Sequence, residues 1–257
     1  MNAMPFKAVV FAAGVGSRLK PFTDSHPKAL VPVAGVPLLE RVLRRIVDAG
    51  ADAVVVNVHH FADQIMDFIA SRLWGVPVTV SDESALLLDT AGGLAKIVRE
   101  QPVIADMAPT DYVLVHNADI YTDLDLAKLM DTARLSDADA LLLVDPARTS
   151  SRRLMWNADG RLEGWINTAT GQRRPQDLAA HGLLPAAFGG IHAVSRRLLA
   201  DIDSQIPVSP VPLSITDFYI DNCRRRDIRA YIPAEPYVWH DVGTPQKLAD
   251  AERHALS

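Results

Sequence analysis

The N-terminal stretch constrains this chain most strongly, because it places a phosphate-binding type of loop directly after an apolar strand. Residues 6–32 read F-K-A-V-V-F-A-A-G-V-G-S-R-L-K-P-F-T-D-S-H-P-K-A-L-V-P. The apolar run at its start is rich in β-branched residues, which predicts a buried strand. Gly14 and Gly16 follow that run, and Arg18 and Lys28 add two positive charges.

Anion binding is the chemistry that this loop indicates. Glycines after a buried strand let the backbone approach a phosphate closely, and successive N–H groups there form an anion-binding concavity. Arg18 offers a planar fork of donors, whereas Lys28 offers a point charge. Two better-known phosphate loops are excluded, since Leu19 and Pro21 stand where each motif requires glycine. The pair G-x-G alone is also typical of a plain β-turn with solvent-facing charges.

Length and composition bound the remaining possibilities. A chain of 257 residues with 49% hydrophobic residues predicts one α/β domain, or one domain with a small appendage. The net charge of −5 argues against a general affinity for nucleic acid. A lone cysteine, Cys223, forms no internal disulfide, and neither a signal peptide nor an apolar run of membrane-spanning length is found. We therefore expect a cytoplasmic protein without a membrane partner.

Strand and helix patterns alternate through the first half of the chain. The apolar periodicity predicts helices over 37–49 and 61–73 and strands over 53–58 and 76–80. Strand–helix–strand–helix–strand order is typical of a doubly wound, largely parallel α/β sheet.

A later predicted strand ends in polar residues. Residues 112–120 read Y-V-L-V-H-N-A-D-I, so Asp119 stands just past the carboxyl end of the strand. Ligands of open parallel sheets bind outside that end. A carboxylate there suits Mg²⁺, which prefers one or two protein carboxylates together with substrate phosphates. The same residue type also fits a turn or a helix cap.

The pattern changes after a further predicted strand at 138–144. Residues 152–167 predict a β-hairpin with an Asn-Ala-Asp-Gly turn, and 168–184 have the composition of a loop. A hairpin inserted here would cover a substrate bound beside the first half of the chain. Its candidates for substrate contact are Arg152, Arg153, Trp165 and Asn167.

Together these motifs resemble the signature of the sugar-1-phosphate nucleotidyltransferases. The residues that carry the likeness are A-A-G-V-G-S-R-L-K-P-F-T-D-S-H-P-K-A-L-V-P-V, L-D-T-A-G-G, A-F-G-G-I-H-A-V and W-H-D-V-G-T. The resemblance implies a Rossmann-like doubly wound mixed sheet of the nucleotide-diphospho-sugar transferase type, with a small β-hairpin insertion over the sugar site. It implies one domain over 1–257, with a nucleotide-binding half at about 6–145 and a sugar-binding half at about 146–257.

The resemblance implies an enzyme that joins a nucleoside triphosphate to a sugar 1-phosphate and releases pyrophosphate, with Mg²⁺ as cofactor. The nearest likeness is to short bacterial members such as N-acetylmuramate-1-phosphate uridylyltransferases and mannose-1-phosphate guanylyltransferases, and uridylyl transfer is favoured. A choline-phosphate cytidylyltransferase and a non-catalytic sugar-nucleotide sensor of the same fold stay open. The presence of Lys28, Asp119 and Asp241 favours the enzyme. We expect a monomer or a homodimer.

The resemblance also implies individual roles. Catalytic roles fall to Arg18, Lys28 and Asp119, and metal binding falls to Asp119 and Asp241. The residues expected to bind the nucleotide are Ala13, Gly14, Gly16, Ser17, Arg18, Glu83, Thr90 and Gly92. The residues expected to bind the second substrate are Asn117, Trp165, Asn167 and Gly190.

The chain departs from the family pattern in two places. Ala118 precedes Asp119 where the family usually has glycine, which puts the tightness of that turn in question. Many members carry Glu-Lys-Pro just after the hairpin, with the lysine on the sugar phosphate, but this chain has Trp-Ile-Asn at 165–167. The contact to the sugar phosphate must therefore come from elsewhere, and the sequence does not name the sugar.

Overall fold

A central β-sheet organises the computed structural model, which describes residues 4–14, 16–207 and 211–256. The strands are β1 (Phe6–Phe11), β2 (Pro32–Val33), β3 (Val36–Pro37), β4 (Ala51–Val58), β5 (Val78–Asp82), β6 (Tyr112–Asn117), β7 (Ile120–Thr122), β8 (Ala140–Asp145), β9 (Arg152–Trp156), β10 (Leu162–Asn167), β11 (Arg173–Arg174), β12 (Leu184–Ser195), β13 (Ile228–Tyr231) and β14 (Trp239–Asp241). The helices are α1 (Leu38–Asp48), α2 (Ala62–Ala70), α3 (Asp89–Glu100), α4 (Pro102–Ala105), α5 (Leu126–Ser136), α6 (Arg196–Gln205), α7 (Ile215–Asn222) and α8 (Pro245–Leu256).

The main sheet is mixed. Its order is β11-β10-β9-β12-β6-β1-β4-β5, and β8 and β13 branch from β12. Strands β6, β1, β4 and β5 are parallel, as the alternation of strands and helices predicts. Strand β12 is antiparallel to its neighbours β6, β8 and β9, so it runs against the direction of the parallel strands within the same sheet.

Both faces of the sheet are covered by helices. Successive residues of β1 enter different apolar clusters: Val10 joins the cluster under α1, α2 and α5, whereas Val9 joins the cluster under α3, α6 and α7. A strand covered on both sides is mostly apolar, which is why β4 contains the apolar run at 53–56 and buries every residue except Asp52. Helix α1 buries Leu39, Leu43 and Ile46 at helical spacing and leaves its charged residues outside.

The predicted hairpin is formed by β9 and β10. The two strands pair antiparallel around the turn at 157–160, and β9 also pairs with β12, so the hairpin extends the main sheet. The predicted loop at 168–184 contains β11, which pairs Arg174 with Trp165 of β10. Backbone pairing of this kind leaves no mark in composition, and the sequence analysis therefore missed it. Among the residues that the structure describes, none of the helices has the length and apolar character needed to cross a bilayer.

Two buried histidines lie on neighbouring strands in the centre of the sheet, with their side chains on opposite faces. His116 of β6 and His192 of β12 are 2% and 1% exposed. Burial lowers the pKa of His116 to about 4 and that of His192 to about 3, since the interior disfavours the charged imidazolium. Both rings are therefore neutral in the folded protein near neutral pH.

These histidines predict an acid-labile fold. A histidine in the unfolded chain has a pKa of about 6.5. Between that pH and about 4, the unfolded chain therefore binds more protons than the folded protein, and the free energy of unfolding falls as the pH falls. His192→Met should remove about 1.4 kcal/mol per pH unit from this slope. Urea unfolding at a series of pH values checks it, with His181→Met at an exposed histidine as the control. An unchanged slope in His192→Met would contradict the assignment.

Candidate active site

The glycine loop after β1 packs on Lys28. Gly16 has a φ of +67°, and a Cβ built there would lie 2.8 Å from the Cβ of Lys28. Glycine is therefore required both for the backbone angle and for the close approach. The carbonyl of Gly16 accepts hydrogen bonds from the Thr23 hydroxyl and the Leu19 N–H, at 2.9 and 3.0 Å. The loop thus holds the lysine side chain in a fixed direction.

Lys28 points at two carboxylates. Its ammonium forms an ion pair with Asp119 Oδ2 and lies 3.9 Å from Asp241 Oδ1. The other oxygen of Asp241 accepts a hydrogen bond from Lys247 Nζ at 2.8 Å. The Lys28 side chain is only 10% exposed, whereas the two aspartates are about one-third open to solvent at 31% and 27%. Two carboxylates and two ammonium groups therefore form one charge-balanced cluster.

A short two-stranded sheet brings the two aspartates together. Strand β14 pairs antiparallel with β7, with Asp241 opposite Ile120. The N–H of Val242 donates to the carbonyl of Asp119 at 2.8 Å, which fixes the register at the point where both carboxylates project. Thr122 adds a hydroxyl bond to the carbonyl of Val238 at 2.6 Å. Residues far apart in the chain thus become neighbours through backbone pairing.

A cavity of about 630 Å³ opens on the Asp119 side of this cluster. We call it the glycine-loop cavity. The predicted site residues in its lining are Ala13, Gly14, Lys28, Glu83, Thr90, Asn117 and Asp119. Phe11, Asn57, Leu87, Asp89 and Pro212 also contribute, and the sequence analysis did not single them out.

Glu83 organises the wall of the glycine-loop cavity. It is 2% exposed, and its two oxygens accept hydrogen bonds from Asn57 Nδ2 at 2.6 Å and from the Leu88 N–H at 3.0 Å. Burial raises the pKa of its carboxyl group, and these two bonds partly offset the rise. A Cβ at Gly93 would lie 2.7 Å from Glu83 Oε1, so that glycine makes room for the carboxylate. Glu83 ties the loop before α3 to the end of β4.

Thr90 and Gly92, which were predicted to bind the nucleotide, make packing contacts within the protein at the start of α3. The Thr90 hydroxyl accepts a hydrogen bond from the Ile215 N–H at 2.8 Å, which joins the starts of α3 and α7. Gly92 is buried behind the cavity, where a Cβ would lie 2.9 Å from the Cβ of Leu88 and 3.2 Å from the carbonyl of Val211. Gly92 therefore permits helix packing and does not belong to the cavity lining.

A second cavity, of about 770 Å³, opens on the Asp241 side. We call it the hairpin cavity, because β9 and β10 supply part of its wall. Its charged and aromatic lining consists of Arg148, Arg152, Trp165, Arg174, Phe188, Asp217, Trp239, Asp241 and Lys247, and hydroxyl groups come from Thr149, Ser150, Ser214 and Thr216. Trp165, which the sequence analysis proposed as a substrate contact, is part of this lining. The two carboxylates lie where the two cavities approach one another.

The other predicted residues have different positions. Asn167 does not line either cavity, and its Oδ1 accepts hydrogen bonds from the N–H groups of Ala169 and Thr170 at 3.0 and 3.3 Å. Gly190, with a φ of +71°, allows the Asn117 amide to approach, since a Cβ there would lie 2.8 Å from Asn117 Nδ2.

Arg18 is exposed, and its guanidinium reaches the Asp241 side of the site. A Cβ at Gly243 would lie 3.1 Å from Arg18 Nη2 and 2.8 Å from Asp241 Oδ1. Ser17 is exposed on the same loop. Within residues 4–14, 16–207 and 211–256, Arg18 forms no ion pair, so its donors are available to a ligand.

The sequence analysis missed the basic residues Arg148 and Lys247. The Arg148 guanidinium lies 3.5 Å above the Trp239 ring and donates to the carbonyl of Phe188 at 3.3 Å. No motif marks this arginine. Lys247 does carry a weak signal, since it follows W-H-D-V-G-T-P at the start of a helix.

Comparison with known protein families matches residues 8–208 to the MobA-like NTP transferase domain. N-acetylmuramate α-1-phosphate uridylyltransferase of Caulobacter vibrioides is 31% identical over 98% of this chain and 98% of its own length. Mannose-1-phosphate guanylyltransferase of Mycobacterium tuberculosis is 34% identical over 93% of this chain and 61% of its own length. These matches confirm the resemblance drawn from the motifs.

Among solved structures, HddC from Yersinia pseudotuberculosis is similar, with a TM-score of 0.71 and 20% sequence identity. The match covers 97% of this chain and 99% of that protein. At this identity the likeness concerns the fold, and it confirms the predicted mixed α/β architecture.

Adding a methyl group at Gly14 and at Gly16 should change the free energy of unfolding by different amounts. Gly16→Ala should lower the free energy of unfolding by about 1–3 kcal/mol, because alanine at positive φ is strained and its Cβ would displace Lys28. Gly14→Ala is the matched control, since a Cβ there meets nothing within 4 Å. Urea denaturation of both variants measures the difference. Equal stability of the two would contradict the packing of the loop on Lys28.

Proposed function

Because the chain belongs to the sugar-1-phosphate nucleotidyltransferase family with a MobA-like NTP transferase domain, we propose that it transfers the uridylyl group of UTP to N-acetylmuramate 1-phosphate, releasing pyrophosphate. One observation carries the proposed chemistry: Asp119 and Asp241 lie together at the boundary between two cavities. The choice of base and sugar rests on the Caulobacter enzyme, whose likeness extends over nearly the whole length of both chains.

We assign the glycine-loop cavity to the nucleotide and the hairpin cavity to the sugar phosphate. The lining of the first comes from residues 11–119 and Pro212, and the lining of the second comes from residues 148–247. This distribution supports a nucleotide-binding half at about 6–145 and a sugar-binding half at about 146–257. Two substrates placed in these cavities would meet at the aspartate pair, where the reaction requires their phosphates to be adjacent.

The lining of the hairpin cavity favours an anionic sugar. Arginine and lysine side chains outnumber the carboxylates of Asp217 and Asp241 there. A sugar 1-phosphate is anionic near neutral pH, and N-acetylmuramate carries a further carboxylate on its lactyl group. The Trp165 ring offers an apolar face for a sugar, and the hydroxyl groups of the lining offer hydrogen bonds.

The aspartate pair fits Mg²⁺. Both carboxylates already converge on one positive group, the ammonium of Lys28. Among the described residues no group of three or more potential metal-ligating side chains occurs. Mg²⁺ commonly takes only one or two protein carboxylates and completes its shell with substrate phosphates and water, so Asp119 and Asp241 suffice to hold it. When bound, the ion would offset the negative charge on the reacting phosphates.

The reaction requires alignment and charge neutralisation from the protein. An oxygen of the sugar phosphate forms a bond to the α-phosphorus of UTP, and the bond from that phosphorus to the β-phosphate oxygen breaks. The attacking oxygen is already anionic, so no protein base is needed. Arg18 and the backbone N–H groups around Gly14 and Gly16 would bind the β- and γ-phosphates and stabilise the departing pyrophosphate. Lys28 would contact phosphate between the two substrates.

We also propose that the enzyme is cytoplasmic. Cys223 is free and buried. Burial raises the pKa of its thiol, which disfavours the reactive thiolate. A protein whose single cysteine is sequestered in this way has no need of an oxidising compartment.

Removing either carboxylate tests the central assignment. Asp119→Asn and Asp241→Asn should each lower kcat by a factor of about 100 or more, because metal binding and charge balance at the reacting phosphates are lost. Pyrophosphate release with UTP, N-acetylmuramate 1-phosphate and Mg²⁺ measures the effect. Asp67→Asn, on the exposed surface of α2, is the matched control and should keep full activity. Turnover near the wild-type value in either site variant would remove that residue from the mechanism.

A grid of substrates tests the choice of base and sugar. UTP, GTP, CTP, ATP and dTTP are each combined with N-acetylmuramate, N-acetylglucosamine, mannose and glucose 1-phosphates and with choline phosphate. We expect the highest kcat/KM for UTP with N-acetylmuramate 1-phosphate, ahead of N-acetylglucosamine 1-phosphate, which lacks the carboxylate. A preference for GTP with mannose 1-phosphate would instead identify a guanylyltransferase. Nucleotide binding without turnover anywhere would identify a sensor.

A further inference from the structure

The hairpin cavity needs a cation for the phosphate of the sugar substrate. The end of the hairpin contributes no lysine, because its residues are Trp165, Ile166 and Asn167. The Asn167 side chain is engaged in its own turn. A phosphate held beside Asp241 without a neighbouring cation would face repulsion from that carboxylate. Arg18 and Lys28 approach Asp241, but neither lines the hairpin cavity, so a cation for a phosphate in that cavity would come from its own wall.

Lys247 is placed to supply it. Its Nζ lies 2.8 Å from Asp241 Oδ2, and its side chain, 45% exposed, lines the hairpin cavity. The other cations of the lining are Arg148, Arg152 and Arg174. Arg174 is paired with Asp217 and Asp221, and Arg148 is stacked on Trp239. Among the described residues of this lining, Lys247 is the basic residue in contact with Asp241.

The position of Lys247 in its helix points the same way. It lies in the first turn of α8, and that turn contains no acidic residue. The N-terminus of a helix carries partial positive charge from its free N–H groups, so a lysine there is normally disfavoured and an anion is favoured. Lysine and helix terminus together form a positive region beside the Asp241 carboxylate.

The two lysines of the cluster have equivalent surroundings, since each pairs with one aspartate and lines one cavity. Lys28 pairs with Asp119 and lines the glycine-loop cavity, whereas Lys247 pairs with Asp241 and lines the hairpin cavity. A divalent cation bound by both carboxylates would compete with both ammonium groups. Each lysine would then lose its carboxylate partner while still facing its own cavity.

We propose that Lys247 binds the phosphate group of the sugar 1-phosphate and is held in reserve by Asp241 until a divalent cation takes that carboxylate. This inference rests on the proposed function. It assigns the substrate cation to the helix after the W-H-D-V-G-T motif, in place of the hairpin lysine that this chain lacks.

The kinetic test compares Lys247→Met and Lys247→Arg with Lys128→Met, a matched change at an exposed lysine of α5. In Lys247→Met, the KM for N-acetylmuramate 1-phosphate should rise about 10- to 100-fold, the loss expected for a hydrogen bond between charged groups. The KM for UTP should stay within about twofold of the wild type. Lys247→Arg should recover much of the loss, because it restores the charge. Lys128→Met should match the wild type.

Two further measurements do not depend on turnover. For calorimetry, wild type and Lys247→Met are both loaded with Mg²⁺ and with a non-reactive UTP analogue in which NH bridges the α- and β-phosphates. N-acetylmuramate 1-phosphate should then bind more weakly to Lys247→Met than to the wild type. Titration of the free protein with Mn²⁺, followed by electron paramagnetic resonance, should show tighter binding in Lys247→Met, because Asp241 has lost its competing cation.

The outcomes separate this inference from the proposed function. Wild-type turnover together with an unchanged KM and unchanged sugar-phosphate binding in Lys247→Met would overturn the inference alone. A loss of stability without a change in KM would reduce Lys247 to a structural ion pair, which also overturns it. Absence of pyrophosphate release from the wild type with every substrate pair would overturn both.

Discussion

The backbone pairing of β7 with β14 is the interaction on which the rest of the site depends. One hydrogen bond, from the Val242 N–H to the Asp119 carbonyl, and the register of a few neighbouring residues place two carboxylates beside each other. Two neighbouring carboxylates repel one another, so the folded protein requires a compensating cation beside them. Lys28 and Lys247 provide that compensation in the free protein. In the proposed reaction, the same repulsion would favour a divalent ion bound by the pair.

Local positive charge, and not the net charge of the protein, would attract the anionic substrates of the proposed reaction. The net charge is −5, yet both substrates of the proposed reaction are anions. The positive groups are concentrated where the two cavities meet and along the wall of the hairpin cavity. Ion pairs elsewhere, such as Arg224 with Asp177 on the surface, neutralise most other cations. With this distribution, a negative net charge is compatible with the binding of small phosphates at a local basic site, as the proposed reaction requires.

Sequence reasoning was most successful where a local pattern has a direct physical cause. The glycine loop, the parallel strands and the hairpin turn each depend on residues close together in the chain, and each is found in the structure. Sequence reasoning discriminates less where a residue type serves two purposes. Asn167, predicted to bind the second substrate, accepts hydrogen bonds within its own turn, and Gly92, predicted to bind the nucleotide, allows helix packing, so both binding roles stay predictions. Asparagine and glycine suit both kinds of position, so their identity alone could not distinguish the two.

The sequence by itself determined the fold class, the glycine loop and the family, because hydrophobic periodicity, backbone freedom at glycine and a long motif each depend on residues that are close together in the chain. Only the tertiary structure decided that Asp119 and Asp241 share one lysine and that Lys247 lies on the hairpin-cavity side of the pair. It also decided that the basic residues Arg148 and Arg174 face one cavity. Those relations join segments separated by many residues. They arise from strand pairing and sheet order, which bring the ends of distant elements together and which no local spacing encodes.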